Sequence, residues 1–247
     1  MAEVGVIIPA YNEEKNIEGI IKRLKESIEA KIVVVDDCSG DKTGEIAERN
    51  GALVIRHKVN KGKGEALVTG FKEILRNHPD IQYVILIDAD SQYDPEDAPK
   101  LINALKQGND YVTGVRYWKR DVPFRHRFAN FLWRNAFNIL FGVSLLDSNC
   151  GYIAMNRKAM EVISRGSYGG YIIDNMMLAK AVENELRVKQ VPVRVHYKKP
   201  RDVIGGSRFF LGCFIFIIEE GLKHRFGWKL NVYSKLVRTR LIFSKGG

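Results

Sequence analysis

The first 115 residues alternate between two incompatible periodicities, and that alternation limits the fold more than any other feature of the chain. Short apolar, β-branched runs, VGVIIP (4–9), KIVVVDD (31–37), ALVIRH (52–57), YVILIDAD (83–90) and DYVTGV (110–115), are close to continuously hydrophobic, as strands buried on both faces must be. Between them apolar residues recur at three- and four-residue steps: Ile17, Ile20, Ile21, Leu24 and Ile28, then Leu67, Phe71, Ile74 and Leu75. That spacing lines them along one side of a helix. Strands joined by helices imply right-handed crossovers and a mostly parallel sheet with helices on both faces, an α/β, Rossmann-like architecture. Such sheets bind ligands beyond the carboxyl ends of their strands, which directs attention to the loops after residues 9, 35, 57, 88 and 114.

Those loops read PAYNEE, DDCSGDKTG, NKGKGE, DADSQYD and GVRYWKR. NKGKGEA lacks the third glycine of a dinucleotide fingerprint and follows the third strand, and no Walker A sequence occurs, so a dehydrogenase or P-loop NTPase is disfavoured. Cys38, Cys150 and Cys213 are odd in number and without metal-ligand spacing. They read as reduced thiols.

The stretch LIDADSQYDPED (86–97) ends an apolar run in a concentration of acid. Asp94, Pro95, Glu96 and Asp97 are a helix start: a capping side chain, proline at the first helical position, and acids near the positive end of the dipole. Asp88 and Asp90 have no such explanation. In extended chain both point to one side and leave Ala89 on the other. Two carboxylates aimed at one spot repel unless one takes a proton or a cation lies between them. A hard ion such as Mg²⁺ or Mn²⁺ takes few protein oxygens and completes its shell with water and phosphates, and Gln92 offers a further neutral oxygen. The expectation is a metal-bridged diphosphate, with the metal acting as a Lewis acid on a departing phosphate. The plainer alternative is that Asp88 ends the strand and Asp90 shapes a turn.

The formal net charge of +10 hides an asymmetry: residues 1–110 hold 15 Lys+Arg against 20 Asp+Glu, and residues 111–247 hold 24 against 9. A basic second half suggests a polyanionic partner or a solvated basic surface. Residues 125–141, RHRFANFLWRNAFNILF, place Arg127, Asn130, Arg134 and Asn138 in one narrow polar stripe on an otherwise apolar helix. The run FFLGCFIFII (209–218) falls short of the ~20 apolar residues that cross a bilayer and reads as core packing more than membrane contact. The tail LNVYSKLVRTRLIFSK has the basic, aromatic composition of an interfacial segment. The opening residues lack a secretory signal pattern.

Taken in order, VIIPAYNEEKNI, IVVVDDCSGDKT, NKGKGEAL, VILIDADSQYDPED and VTGVR closely resemble the inverting glycosyltransferases of the GT-A fold, family 2, and within them the dolichol-phosphate mannose synthase group and its polyprenyl-phosphate relatives. The resemblance covers about residues 4–210. It implies that Pro9, Tyr11, Glu13, Val35 and Asp37 hold the nucleotide, that Asp88, Asp90 and Gln92 bind the metal with Ala89 against the donor, and that Arg116 sits near the sugar phosphate. Lys61 and Lys63 would help neutralise a diphosphate, and Lys63 is counted with the substrate-binding set. Asn12 and Asp41 read equally well as helix caps, and Gly62 and Gly64 as turn residues. LLDSNCGYIAMNR (145–157) resembles the family's acceptor-side motif, and PRDVIGGSR (200–208) its basic loop over the donor phosphates, bringing Arg201 and Arg208 into the site. That loop departs from the family pattern by carrying Asp202 where an arginine is common.

The resemblance divides the chain into a catalytic domain, 1–208 (donor half about 1–116, acceptor half about 117–208), and a membrane-associating helical appendage, 209–247. The expected activity is metal-dependent transfer of a hexose, mannose from GDP-mannose favoured and glucose from UDP-glucose second, to a polyprenyl phosphate. Arg125, Arg127 and Arg134 are candidates for the acceptor or an anionic membrane surface, and the enzyme is expected on the cytoplasmic side as a peripheral protein with no transmembrane helix. A phosphate acceptor, with its second pKa near ≈ 6, needs no base. A sugar hydroxyl would need one, and the resemblance implies Asp174, which lies where many relatives carry an acid, for that role. An alternative of another class is a non-catalytic basic module binding membrane or nucleic acid, with no nucleic acid expected on the main reading.

Overall fold

The computed structural model of the chain describes residues 2–116, 124–165, 173–196 and 204–228, without the side chains of 124–127, 129, 204–210 and 213. Seven strands, β1 (Val4–Ala10), β2 (Lys31–Asp36), β3 (Leu53–Arg56), β4 (Tyr83–Leu86), β5 (Tyr111–Arg116), β6 (Ile153–Asn156) and β7 (Val188–Val193), form one sheet in the order β3-β2-β1-β4-β6-β5-β7. Strand β1 pairs in parallel with β2 and β4, β2 with β3, and β5 with β7. Among these seven strands of the described residues, β6 alone runs against its neighbours, β4 and β5. The five sequence-derived strands are β1 to β5. IAMN is too short to announce β6, and Pro192 masks β7, which tolerates it because an edge strand can lack one ladder donor.

The pleat sends alternate side chains to two cores. Ile7, Val33, Val84 and Leu86 join one buried cluster, while Val6, Ile8, Val34 and Ile85 join the other. The first is covered by α3 (Lys63–Asn77), α5 (Phe124–Phe141), α6 (Arg157–Ser164), α7 (Ile173–Glu183) and α8 (Ile204–Phe226), through residues such as Phe71, Phe137, Met160, Met177 and Ile217. The second is covered by α1 (Ile17–Ser27), α2 (Thr43–Arg49) and α4 (Ala98–Lys106), through Ile21, Ala47 and Leu101. The periodic residues Ile17, Ile20, Ile21 and Leu24 are all buried, as their spacing requires. At about 1.5–3 kcal/mol for each large apolar side chain buried, these two layers outweigh any surface ion pair in holding the sheet. Contact is close enough that a Cβ on Gly70 of α3 would lie 2.5 Å from Ile7 Cγ2.

The end of the sheet away from the strand termini named above is clamped by Asp110. Its carboxylate accepts from Asn156 Nδ2 at 2.9 Å and from Arg187 N at 3.0 Å, tying β5 to the end of β6 and the start of β7.

Helix α8 spans the boundary at 208 between the expected catalytic domain and appendage. It runs unbroken across residue 208, and Phe216 and Ile217 belong to the same buried cluster as Ile7 and Phe137. A Cβ on Gly221 would meet Leu140 Cβ at 2.5 Å, so glycine lets α8 lie directly on α5, where His224 stacks on Phe141. Helix α8 is therefore packed against the sheet layer and α5 through Phe216, Ile217, Gly221 and His224, and the tail 229–247 lies outside the described residues. No helix among the described residues is long and apolar enough to cross a membrane.

Candidate active site

The strand order reverses direction between β1 and β4, and an open cleft of about 330 Å³ lies there, beyond the carboxyl ends of β1 to β4. This is where an open α/β sheet leaves room, because successive crossovers depart to opposite faces. Its walls come from four loops: Pro9, Tyr11 and Glu13 after β1, Asp37 after β2, Gly62 and Lys63 after β3, and Asp88, Ala89 and Asp90 after β4. Tyr11 is half exposed, offering a ring face at the rim.

The acidic pair arrives by a different route from the one its spacing suggested. Strand β4 ends at Leu86, so Asp88 and Asp90 lie in the turn beyond it, which Ser91 completes at φ +60°. Both nevertheless line the cleft. Burial, and after it the charge of Asp88, pushes the Asp90 carboxyl above the usual carboxylate range. Gln92 is exposed and gives its backbone N–H to Asp90 Oδ1 at 2.9 Å, holding the turn.

Across the cleft Lys63, the first residue of α3, sets its ammonium 2.8 Å from Asp88 Oδ1 and 3.0 Å from Asp174 Oδ2. Burial would lower the Lys63 pKa, but Asp174 and Asp88 together raise it, so the ammonium stays charged. Asp174, near the start of α7, is raised by burial and by Asp88, with Lys63 acting against both. Gly151 makes this convergence possible: a Cβ there would lie 2.9 Å from Asp88 Oδ2 and 3.1 Å from Lys63 Nζ. Its N–H is held by the buried Tyr93 hydroxyl at 2.9 Å. The roles of Gly151 and Tyr93 and the Lys63–Asp174 pairing are not legible in the sequence beyond the Cys-Gly-Tyr motif and the acid at Asp174.

Asp37 is buried, and its carboxylate anchors the glycine-rich loop. It accepts from Lys61 N at 2.9 Å and Gly62 N at 2.6 Å, and its Oδ1 lies 2.7 Å from His57 Nδ1. His57 Nε2 in turn lies 2.9 Å from Thr69 Oγ1 on α3. Gly62 adopts φ +89°, a conformation that favours glycine, and this directs Lys63 into the cleft. Asn12 caps no helix; its Oδ1 accepts from Gly40 N at 2.8 Å, bridging the loops after β1 and β2. Asp41 does bond the first turn of α2, through Thr43 N at 3.0 Å.

Several expected residues lie elsewhere. Val35 is wholly buried on β2, so its side chain presents no surface to a ligand. Arg116, at the end of β5, is outside the cleft lining and pairs with Asp147. Arg201 lies outside the described residues, and Arg127 and Arg208 belong to α5 and α8 at positions whose side chains are not described.

The donor set fits a small, hard divalent ion. Asp88 and Asp90 share one wall, and Asp90 carries a burial and like-charge cost that a cation would relieve. Among the described residues no three His, Cys, Asp or Glu side chains gather to hold a metal ion, so an ion here would complete its shell with water and phosphate oxygens.

Residues 5–163 match the model of glycosyl transferase family 2. The chain is 40% identical over 191 residues to a dolichol-phosphate mannosyltransferase of Pyrococcus furiosus, an alignment covering 71% of this chain and 52% of that one. It is 28% identical over 236 residues to a UDP-N-acetylglucosamine–dolichyl-phosphate N-acetylglucosaminyltransferase of Methanococcus voltae, covering 85% and 92%. Among solved structures, the glucosyl-3-phosphoglycerate synthase of Mycobacterium tuberculosis, in complex with Mn²⁺, uridine diphosphate and phosphoglyceric acid, shares its fold. The TM-score is 0.68 at 23% identity, covering 88% of this chain and 78% of that one.

Proposed function

We propose that this chain, which belongs to glycosyl transferase family 2, transfers a hexose with inversion from a nucleoside-diphosphate sugar to a polyprenyl phosphate at a membrane surface. Mannose from GDP-mannose is the favoured donor and glucose from UDP-glucose the second. The names of the P. furiosus and M. voltae relatives support a polyprenyl-phosphate acceptor, while differing in the sugar.

The observation that carries the acceptor assignment is the state of Asp174. A hydroxyl acceptor needs a base, and Asp174 has one oxygen bound by the Lys63 ammonium at 3.0 Å. A phosphate monoester is already an anion near neutral pH and loses no proton on attack. Its oxygen approaches the anomeric carbon opposite the diphosphate. The new carbon–oxygen bond forms as the old one breaks, and the electron pair leaves with the nucleoside diphosphate. Asp88 and Asp90, with Gln92 beside them, would hold a Mg²⁺ or Mn²⁺ ion, which when bound draws charge from that leaving group. Asp37 positions the loop that carries Lys63, Pro9, Tyr11 and Glu13 form the nucleotide wall, Arg116 acts through its pairing with Asp147, and Arg127, Arg201 and Arg208 supply the positive charge expected around the two phosphates.

A membrane-facing surface is supported by α5 and α8. Phe128, Phe131 and Ile139 are 51%, 52% and 68% exposed on α5, and Leu211 is half exposed on α8. Arg134 lies over the Phe131 ring at 5.4 Å. Aromatic side chains interleaved with arginine suit an anionic interface, which supports the reading of a peripheral protein, proposed for the cytoplasmic face.

Incubating the purified chain with GDP-mannose or UDP-glucose, dolichyl phosphate and Mn²⁺ tests the proposal, with a lipid-linked sugar as the expected product. Glycosylation of a soluble glycan and of no lipid would overturn it in favour of a hydroxyl acceptor. The raised Asp174 carboxyl is the observation on that side, and near-total loss of turnover in Asp174→Asn with donor binding intact would support it.

A further inference from the structure

The cleft holds an ammonium where a divalent ion is expected to bind. Lys63 Nζ is 2.8 Å from Asp88 Oδ1 and 3.0 Å from Asp174 Oδ2, and Gly151 leaves no side chain between them. The side chains of Lys63, Asp88 and Asp174 are 20%, 26% and 15% exposed, so solvent screens their charges only partly. The Lys63 backbone cannot retreat, because the preceding residue, Gly62, is fixed to Asp37.

We infer that Lys63 is an internal counter-cation of the acidic pair, competing with a divalent ion for Asp88 when the cleft is empty and released by a nucleoside diphosphate. The inference rests on the reading of Asp88 and Asp90 as metal-binding carboxylates. An ion placed on Asp88 meets the ammonium as a like charge at close range, so metal alone binds weakly. A diphosphate in the cleft offers the ammonium new anionic oxygens while Asp174 continues to hold it, and Asp88 is freed for the metal. Each ligand therefore binds more tightly in the presence of the other, by the same factor in both directions. Lys63 is a positioning residue in this scheme, and the coupling it carries favours filling the cleft with metal and nucleotide together.

The test is a titration of free Mn²⁺ by electron paramagnetic resonance, with and without GDP or UDP, on the full chain. Lys63→Met should bind Mn²⁺ alone about tenfold more tightly than the parent, a factor of the size typical of coupling between sites, and should lose most of the enhancement by nucleotide. Lys63→Gln repeats the measurement with a polar side chain. Asp174→Asn should act in the opposite direction: with one anion removed, the ammonium concentrates on Asp88 and Mn²⁺ alone binds more weakly. Opposite signs from Lys63 and Asp174 variants cannot come from general loss of folding. If Asp90→Asn abolishes Mn²⁺ binding but neither Lys63 variant tightens it, the counter-cation role is overturned and the metal reading stands. If the parent binds no Mn²⁺ even with nucleotide, both fall.

Discussion

Arg116 and Asp147 meet through two parallel hydrogen bonds, Nε to Oδ2 at 2.7 Å and Nη2 to Oδ1 at 2.9 Å. Asp147 is fully buried, and its Oδ1 also accepts from Asn149 N at 3.0 Å. The arginine that ends β5 thus shapes the loop that delivers Gly151 to the cleft. Lysine retains the charge but cannot make the fork. Arg116→Lys is expected to lower kcat/KM tenfold or more, and unaltered steady-state kinetics would show that the fork does not shape the site. Asp147→Ala takes both acceptors of the fork from a largely buried guanidinium and should cost about 3 kcal/mol in urea unfolding.

Asp90→Asn should separate activity from stability. The ionised carboxylate is disfavoured by burial and then by Asp88. Its folded pKa lies above the unfolded value, so ionisation costs stability at neutral pH and that cost fades as pH falls through the folded pKa. The amide removes the cost. Turnover should drop at least about 100-fold, the scale of losing a main electrostatic contact to a leaving group, while Tm stays level or rises. A lowered Tm with activity retained would contradict both expectations.

Gly151→Ala inserts a methyl group 2.9 Å from Asp88 Oδ2 and 3.1 Å from Lys63 Nζ. The carboxylate and ammonium must move apart, which weakens the site more than the fold. Overpacking of this kind costs about 1–3 kcal/mol, and activity should fall by more than that stability change explains. Wild-type turnover from a folded Gly151→Ala protein would show that the convergence of Asp88, Lys63 and Asp174 is not needed.

At the far end of the sheet, Asp110 should report acid stability without touching catalysis. Burial opposes its ionisation, but hydrogen bonds from Arg187, and then Asn156, hold its carboxyl down at about 2. A depressed folded pKa stabilises the protein above the unfolded value near ≈ 3.9, and the contribution is lost as pH falls toward the folded value. Arg187 is 68% exposed, so solvent screening limits the contribution to about 1–2 kcal/mol. Asp110→Asn should destabilise the chain at pH 7 and flatten its stability between pH 4 and pH 2, as measured by urea unfolding. Parallel pH curves for the two proteins would exclude this role.

Local patterns carried the donor half of the fold. The three- and four-residue spacing that begins at Ile17 gives α1 and its buried face, and the Asp94-Pro95 start gives a real cap, with Asp94 Oδ1 accepting from Glu96 N at 3.1 Å. The polar stripe of residues 125–141 was a poorer guide. Asn130 is buried and Phe128 and Phe131 are exposed, because which side of α5 faces inward depends on where α8 and the sheet lie. Asn138, in the same stripe, spends its amide bonding both N and O of Leu145.

By itself the sequence determined the alternation of strand and helix and the placing of loops beyond the carboxyl ends of β1 to β4, since periodicity and capping act over a few residues. It also brought two aspartates to one of those loops. Only the tertiary structure decided that Lys63 would stand between Asp88 and Asp174, 111 residues along the chain, and that Arg116 would close on Asp147. Such pairings are set by which segments the folded sheet brings together, and charge carries no record of its partner along the chain.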